Sequence, residues 1–133
     1  PAARSAAGGR GQSILLVDDE DSVRDILQSL LTAAGYRVLP ASSAHDATQL
    51  YREHAADISL VLTDVMMRDG DGFSLAAELR RHAADLPILV MSGMAGSGQY
   101  DEKARQLRVP LLAKPITRAA LIAAVQDALR APR

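Results

Sequence analysis

The chain has 133 residues, with 15 basic and 16 acidic side chains, a formal charge of −1 and no cysteine. This length suits one domain rather than two, and the absence of cysteine excludes disulfides, thiolate metal sites and a cysteine nucleophile. A near-neutral charge argues against a basic surface that coats nucleic-acid phosphates, and four aromatic residues leave little material for base stacking. We therefore expect a single domain that contacts no nucleic acid.

The first twelve residues, PAARSAAGGRGQ, contain no large apolar side chain to offset the entropic cost of ordering them. Residues 1–12 are predicted to be a flexible linker, and residues 13–131 the folded domain. No apolar run reaches the ~18 residues of a membrane-spanning helix, and no signal-peptide core precedes the domain. We expect a cytoplasmic protein without membrane contact. The chain begins with Pro1 rather than Met, which we interpret as processing or as excision from a longer protein.

From residue 13 onward, short apolar runs alternate with longer segments of helical period. Such runs are typical of strands covered on both faces, and they are predicted at 14–17, 37–39, 58–63, 87–91 and 109–113. Helices are predicted from about 23 to a stop at Gly35, then at 43–55, 73–82, 100–107 and after a Thr117 cap. In the first helix, one face is predicted to contain the apolar residues Val23, Ile26, Leu27, Leu30 and Leu31. This alternation predicts an α/β fold with a parallel sheet and right-handed crossovers.

Charged and polar side chains follow four of the predicted strands. Asp18 and Asp19 follow the first strand, Asp64 the third, Ser92 the fourth and Lys114 the fifth. Ligands of open parallel sheets bind beyond the carboxyl ends of the strands, so we expect these side chains to meet at one edge. Carboxylates brought together repel one another unless a cation lies between them. Oxygen ligands with room for water favour Mg²⁺ as that cation.

The same edge has the groups that phosphoryl transfer requires. Lys114 and Ser92 offer a positive charge and a hydrogen-bond donor to a transferring phosphoryl group. A carboxylate is a competent phosphoryl acceptor. Because the chain has no cysteine and no visible serine–base pair, Asp64 is the best nucleophile candidate.

The segments ILLVDDED, LVLTDVMMRDGDGF, ILVMSG and LLAKP, in this order and spacing, resemble the receiver domain of two-component response regulators. The resemblance extends from residue 13 to about 130. It implies a flavodoxin-like, doubly wound, five-stranded parallel sheet of order 2-1-3-4-5 with five helices. It also implies that Asp64 is phosphorylated, with a phosphohistidine on a histidine kinase or a histidine phosphotransfer domain as donor.

The resemblance further implies a metal site and the roles of its ligands. Asp19, Asp64 and the backbone carbonyl of Met66 are implied to hold Mg²⁺, which Mn²⁺ can replace. Asp18 is implied to act mainly through a metal-bound water. Ser92 and Lys114 are implied to contact the phosphoryl oxygens.

The chain departs from the family pattern at several positions. Receivers usually have Tyr or Phe where this chain has Leu111, so the aromatic switch that reports phosphorylation to the output face lacks its ring. Arg68 replaces a common proline, which leaves the loop after the acceptor less stiff. Met66 and Met94 occupy positions that affect hydrolysis in the family, and their apolar side chains predict a longer-lived acyl phosphate. The lysine of this chain precedes Pro115, a position where the family typically has a cis peptide bond.

Other polar residues have simpler interpretations. Asp69 and Asp71 lie among glycines and are interpreted as solvated turn residues. The three histidines are scattered without ligand spacing and are interpreted as surface residues. The glycines at 93 and 98 superficially resemble a phosphate-binding loop, but Gln99 and Tyr100 stand where that motif requires Lys and Ser or Thr.

Several functions remain open from the sequence. The leading hypothesis is the receiver of a hybrid sensor kinase, based on the linker-like start, the missing Met and an end directly after the last helix. A free-standing single-domain response regulator is the alternative within signalling. A phosphorylation-independent interaction module is a further alternative, indicated only by Leu111. An aspartyl-phosphate phosphatase ranks last because Met66 stands where such enzymes need a second acid. A receiver catalyses its own phosphorylation, and the parent chain could itself be a kinase.

Overall fold

A computed structural model describes residues 11–93 and 98–130 of the chain. In these residues one sheet contains the strands β1 (Ser13–Val17), β2 (Arg37–Ala41), β3 (Ile58–Asp64), β4 (Ile88–Ser92) and β5 (Leu111–Ala113). The helices that flank it are α1 (Asp21–Ala33), α2 (Ala44–His54), α3 (Gly72–His82), α4 (Gly98–Leu107) and α5 (Arg118–Arg130). The strands run parallel in the order β2-β1-β3-β4-β5. This order confirms the predicted flavodoxin-like fold.

Alternate residues of the central strands enter two different cores because successive side chains of a strand point to opposite faces. Leu15 of β1 belongs to the core that α2, α3 and α4 cover. Its neighbour Ile14 belongs to the core that α1 and α5 cover. Every residue of β1 and of β4 is buried, which explains why both appear in the sequence as continuous apolar runs.

Two predicted ends of helices are confirmed. Gly35, with a φ of 98°, lies just after α1, in a backbone conformation that favours glycine. The Thr117 hydroxyl accepts a hydrogen bond from the Ala120 N–H at 3.1 Å and caps α5.

The predicted apolar face of α1 is only partly covered by the sheet. Leu27 and Leu31 are buried, but Ile26 is 61% exposed. The apolar arc of this helix is wider than the surface that the sheet covers, so a side chain at its border remains in solvent. Periodicity identifies the arc and not its limits.

The predicted fifth strand needs correction, since β5 begins at Leu111 rather than at 109. Pro110 lacks an N–H and contributes only its carbonyl, which accepts from the Val90 N–H at 3.0 Å. Leu111 is partly buried against the core on the α4 side of the sheet. The edge strand is therefore short and less enclosed than its neighbours.

A small hairpin between β3 and α3 is absent from the sequence-based prediction. Met66–Met67 pairs with Gly70–Asp71 in antiparallel fashion. Asp71 then caps α3, since its carboxylate accepts from the Ser74 N–H at 2.9 Å. The interpretation of Asp71 as a solvated turn residue was therefore incomplete.

The start of the described chain is bonded to the edge of the domain. The Gly11 N–H donates to the Gly35 carbonyl at 3.0 Å, and the Gln12 carbonyl accepts from the Arg37 N–H at 2.9 Å. The rest of the predicted linker, residues 1–10, lies outside the described residues, as does residue 131 at the end of the predicted domain. None of the helices in residues 11–93 and 98–130 has both the length and the apolar composition needed to cross a lipid bilayer.

Candidate functional site

Three carboxylates meet at the carboxyl ends of the two central strands. Asp18 and Asp19 follow β1, Asp64 ends β3, and the two strands pair with Val17 beside Thr63. One carboxylate oxygen from each acid lies within 4.8 Å of the other two. The structure thus brings together the acids that the sequence predicted at this edge.

Asp18 is the most enclosed of these acids, with none of its surface exposed. Its Oδ1 accepts from the Glu20 N–H at 2.9 Å, and its backbone carbonyl accepts from Arg24 Nη1 at 2.8 Å. Its backbone N–H donates to the Ala41 carbonyl at 3.1 Å. The sequence analysis missed Arg24, whose only local signal is the acid three residues earlier. These bonds fix Asp18 against the end of β1.

Lys114, which follows the edge strand β5, forms ion pairs with two of the carboxylates. Its Nζ lies 3.2 Å from Asp64 Oδ2 and 3.6 Å from Asp18 Oδ2. Its backbone N–H donates to the Ser92 carbonyl at 2.9 Å, which ties the end of β5 to the end of β4. The Lys114–Pro115 peptide bond is cis, as the family resemblance implied. The predicted lysine therefore reaches the predicted acceptor.

The surroundings of Asp64 disfavour its charged form. Burial raises the pKa of this carboxyl above its ordinary value, the Lys114 ammonium opposes that rise, and the nearby Asp18 carboxylate adds to it. A bound cation would relieve this cost.

Asp19 lies at the outer rim of the cluster. Its Oδ2 accepts from the Arg68 backbone N–H at 3.1 Å and lies 3.8 Å from Arg68 Nε. Arg68, which the sequence analysis noted only as a replacement for proline, therefore anchors the loop after β3 to an acid of the site.

The remaining predicted residues flank the acids. Ser92 is buried at the end of β4, one residue beyond the Met91 that pairs with Asp64. Met66 lies in the hairpin after Asp64, with its side chain 65% exposed. Met94, predicted to shield the acyl phosphate, lies outside the described residues.

The described residues fit a magnesium ion. Asp18 Oδ2 is buried and accepts no hydrogen bond from any described residue, and the Lys114 ammonium lies 3.6 Å from it. Carboxylate oxygens that converge within one ion's reach are the donors that Mg²⁺ prefers.

An apolar groove of about 420 Å³ lies beside the acids, between α1 and the connection from β5 to α5. Its lining is mostly apolar, with the charged residues Glu20 and Lys114 beside Val23, Ile26, Leu27, Pro115 and Ile116. We call this feature the α1 groove. The exposed Ile26 therefore belongs to a continuous apolar surface that adjoins the acids.

The sequence pattern of the response regulator receiver domain matches residues 14–126. The chain belongs to this family. The chain is also similar in sequence to individual regulatory proteins. The transcriptional regulatory protein GltR of Pseudomonas aeruginosa is 36% identical over 127 residues, which cover 90% of this chain and 50% of GltR. The receiver domain thus spans about half the length of that relative.

Solved receiver structures have the same fold. The non-phosphorylated HemR receiver domain from Leptospira biflexa is 30% identical, with a TM-score of 0.81 over 91% of this chain and 96% of that one. The receiver domain from the hybrid histidine kinase CckA is 34% identical, with a TM-score of 0.75 over 89% of this chain and 99% of that one.

Proposed function

We propose that this receiver domain takes a phosphoryl group from a phosphohistidine onto Asp64, in a Mg²⁺-dependent step of two-component signalling or a phosphorelay. The observation that carries the proposal is the position of the Asp64 carboxylate, 3.2 Å from the Lys114 ammonium and within 4.8 Å of two further carboxylates. In the transfer, an Asp64 oxygen bonds to phosphorus as the phosphorus–nitrogen bond breaks. The electron pair of that bond remains on the departing imidazole.

The metal proposal assigns Asp19, Asp64 and the backbone carbonyl of Met66 as ligands, with Asp18 acting through a bound water. Mn²⁺ is a substitute ion. When bound, the ion supplies positive charge that offsets the charge on the phosphoryl oxygens. The buried oxygen of Asp18 and the small separation of the three carboxylates support this assignment.

Lys114 and Ser92 complete the proposed chemistry. The Lys114 ammonium pairs with the acids now and is close enough to pair with phosphoryl oxygens attached to Asp64. The Ser92 hydroxyl is proposed to donate to another phosphoryl oxygen. The modification replaces the single charge of the Asp64 carboxylate by a phosphoryl group that carries ~1.5 to 2 negative charges, and that electrostatic and steric change beside the buried Asp18 shifts the equilibrium between two conformations.

The α1 groove supports a helical histidine kinase or histidine phosphotransfer domain as partner. Because Lys114 borders both the groove and the acids, a protein that delivers a phosphoryl group here must cover this rim. The exposed Ile26 supplies an apolar anchor for that partner, and burying apolar surface stabilises such contacts.

Two contexts for the domain are supported. The hybrid-kinase context is supported by the resemblance to the CckA receiver, and a free-standing response regulator by the resemblance to the transcriptional regulatory protein GltR. The acids and lysine present at the site argue against an interaction module that needs no phosphorylation. The cytoplasmic location and the absence of nucleic-acid and membrane contacts stay predictions.

The phosphoacceptor proposal is tested with acetyl phosphate and Mg²⁺, followed by intact mass measurement. Wild type is expected to gain one labile phosphoryl group, and Asp64→Asn none. Asp57→Asn is the matched control, because this exposed acid precedes β3 at its opposite end and should leave the modification unchanged. An unmodified wild type would overturn the proposal and favour the interaction module.

A second variant tests the metal ligands. Asp19→Ala is expected to remove the dependence of phosphorylation on Mg²⁺ concentration, because the ion loses a carboxylate that the site offers it. Phosphorylation rates measured across a Mg²⁺ titration check this. A variant that retained the wild-type Mg²⁺ dependence would remove Asp19 from the ligand set.

A further inference from the structure

Two consecutive residues anchor the loop that follows the phosphoacceptor. The Arg68 backbone N–H donates to Asp19 Oδ2 at 3.1 Å. The next residue, Asp69, accepts from the Ala44 N–H through Oδ1 and from the His45 N–H through Oδ2, both at 3.0 Å. The hairpin is thus attached on one side to an acid of the site and on the other to the first turn of α2.

The two hydrogen bonds that α2 donates to Asp69 are additional to the cap that the helix already has. The helix has its own cap, because Ser43 Oγ accepts from the Asp46 N–H at 3.0 Å. Asp69 adds a carboxylate from 24 and 25 residues away, which satisfies two further N–H groups of the first turn. A carboxylate at the positive end of a helix, bonded to backbone N–H groups, makes charge-assisted hydrogen bonds. The hydrogen bonds from the Ala44 and His45 N–H groups lower the pKa of the Asp69 carboxyl below its ordinary value.

Met66 lies in the hairpin that these hydrogen bonds hold in place. Met66 pairs with Asp71 and Met67 with Gly70 across a turn that contains Asp69. At the base of the hairpin, the Val65 carbonyl accepts from the Gly72 N–H at 2.7 Å, and the Val65 N–H donates to the Met91 carbonyl at 2.9 Å. The sheet thus holds the base of the hairpin, α2 holds its turn, and Met66 lies between these two attachments.

We propose that Asp69 is a positioning residue for the metal site: by bonding the hairpin to the first turn of α2, it fixes the Met66 carbonyl and thereby raises the affinity of the domain for Mg²⁺. The inference rests on the proposed function, which gives that carbonyl its role. The earlier interpretation of Asp69 as a turn residue was incomplete, since the residue is exposed but bonded to another element.

The competing explanation is that Asp69 is a helix cap and nothing more. Ser43→Ala separates the two, because it removes a cap bond from the same helix without releasing the hairpin. Asp69→Ala removes cap bonds and also releases the hairpin. A cap role affects stability in both variants, whereas a positioning role affects Mg²⁺ binding in Asp69→Ala alone.

The test measures Mg²⁺ binding to the whole unphosphorylated chain by isothermal titration calorimetry, with urea unfolding in parallel. We expect Asp69→Ala to weaken binding about tenfold, the lower end of the range for residues that support metal ligands. Ser43→Ala is expected to bind as wild type does. Asp69→Asn, which keeps one acceptor oxygen and the side-chain shape, should fall between wild type and Asp69→Ala and serves as the variant least prone to misfolding.

Wild-type affinity in both Asp69 variants would overturn the inference, and so would equal weakening by Ser43→Ala. In either case a wild type that binds Mg²⁺ leaves the proposed function standing. A wild type that binds no Mg²⁺ would instead refute the metal proposal itself, and the inference with it.

Discussion

The central strands and the edge strand contribute opposite charges to the site, and they do so from very different surroundings. Every residue of β1 is buried, as are five of the seven residues of β3; Asp18 directly follows β1, and Asp64 is the last residue of β3. In β5, two of the three residues are partly buried and the third is exposed, and Lys114 directly follows the strand. The Asp18 side chain is fully buried, whereas that of Lys114 is 25% exposed.

Because the central strands are buried and the edge strand is partly exposed, the side chains at their ends differ in mobility. Carboxylates at the ends of strands that are paired on both sides have little freedom, which preorganises them for a cation and an incoming phosphoryl group. A long side chain on a short edge strand can exchange one partner for another at low cost. The site thus combines rigidly held carboxylates with a lysine ammonium that can change its partner.

The largest expected effect compares the packing of the two regions directly. Leu62 in β3 is fully buried, so Leu62→Ala should reduce the free energy of unfolding by about 2–5 kcal/mol through lost burial and a cavity. Leu111 in β5 is only partly buried, so Leu111→Ala should cost about 1 kcal/mol. Urea unfolding measures both variants. Equal costs would mean that the edge strand is as tightly packed as the centre.

A smaller effect is expected from adding a methyl group beside the acceptor. A Cβ on Gly72 would lie 2.3 Å from the Asp64 carbonyl oxygen, so Gly72→Ala must shift a backbone that the sheet holds. We expect a loss of about 1–3 kcal/mol and slower phosphorylation by acetyl phosphate.

Gly93→Ala is the matched control for that variant, because a Cβ at Gly93 meets no atom of residues 11–93 and 98–130 within 4 Å. Its stability should stay within about 0.5 kcal/mol of wild type. If Gly72→Ala were as stable as Gly93→Ala, the backbone at the end of β3 would move at little cost, and the central strands would not hold their carboxylates rigidly.

The smallest expected effect concerns the charge on Asp64. Because its pKa is raised in the folded state, the native protein holds this proton more tightly than the unfolded chain does. The ionised carboxylate therefore lowers stability as pH rises from the ordinary carboxyl pKa of ~3.9 towards the raised value. Asp64→Asn should accordingly have a higher Tm than wild type at neutral pH without Mg²⁺, and the gain should fade on acidification.

Thermal unfolding across a pH series measures this gain, with Asp57→Asn as the exposed control. Adding Mg²⁺ should stabilise wild type more than Asp64→Asn, because an ion that binds the native state stabilises it. A lower Tm for Asp64→Asn at neutral pH without Mg²⁺ would show that the Lys114 pairing outweighs the cost of burying the carboxylate.

Much of the fold and site followed from local patterns. Apolar runs identified the sheet strands, and the rule that parallel strands end at one edge predicted that Asp18, Asp64 and Lys114 lie together. The exposed position of Ile26 did not follow, because helical period gives a direction and not the width of the covered surface. The hairpin did not follow either, since its two-residue strands are too short to show a period.

The amino-acid order alone established the alternating α/β arrangement, the identity of the acids and the lysine, and the family to which they belong. Local periodicity and residue chemistry suffice for these, since each depends on neighbours in the chain. Tertiary structure was needed to show that Asp18 is sealed from solvent, that Lys114 reaches two acids and that Asp69 bonds to α2. Those features depend on distances between segments far apart in sequence, and the bonds of Asp69 go to backbone N–H groups that every residue except proline carries.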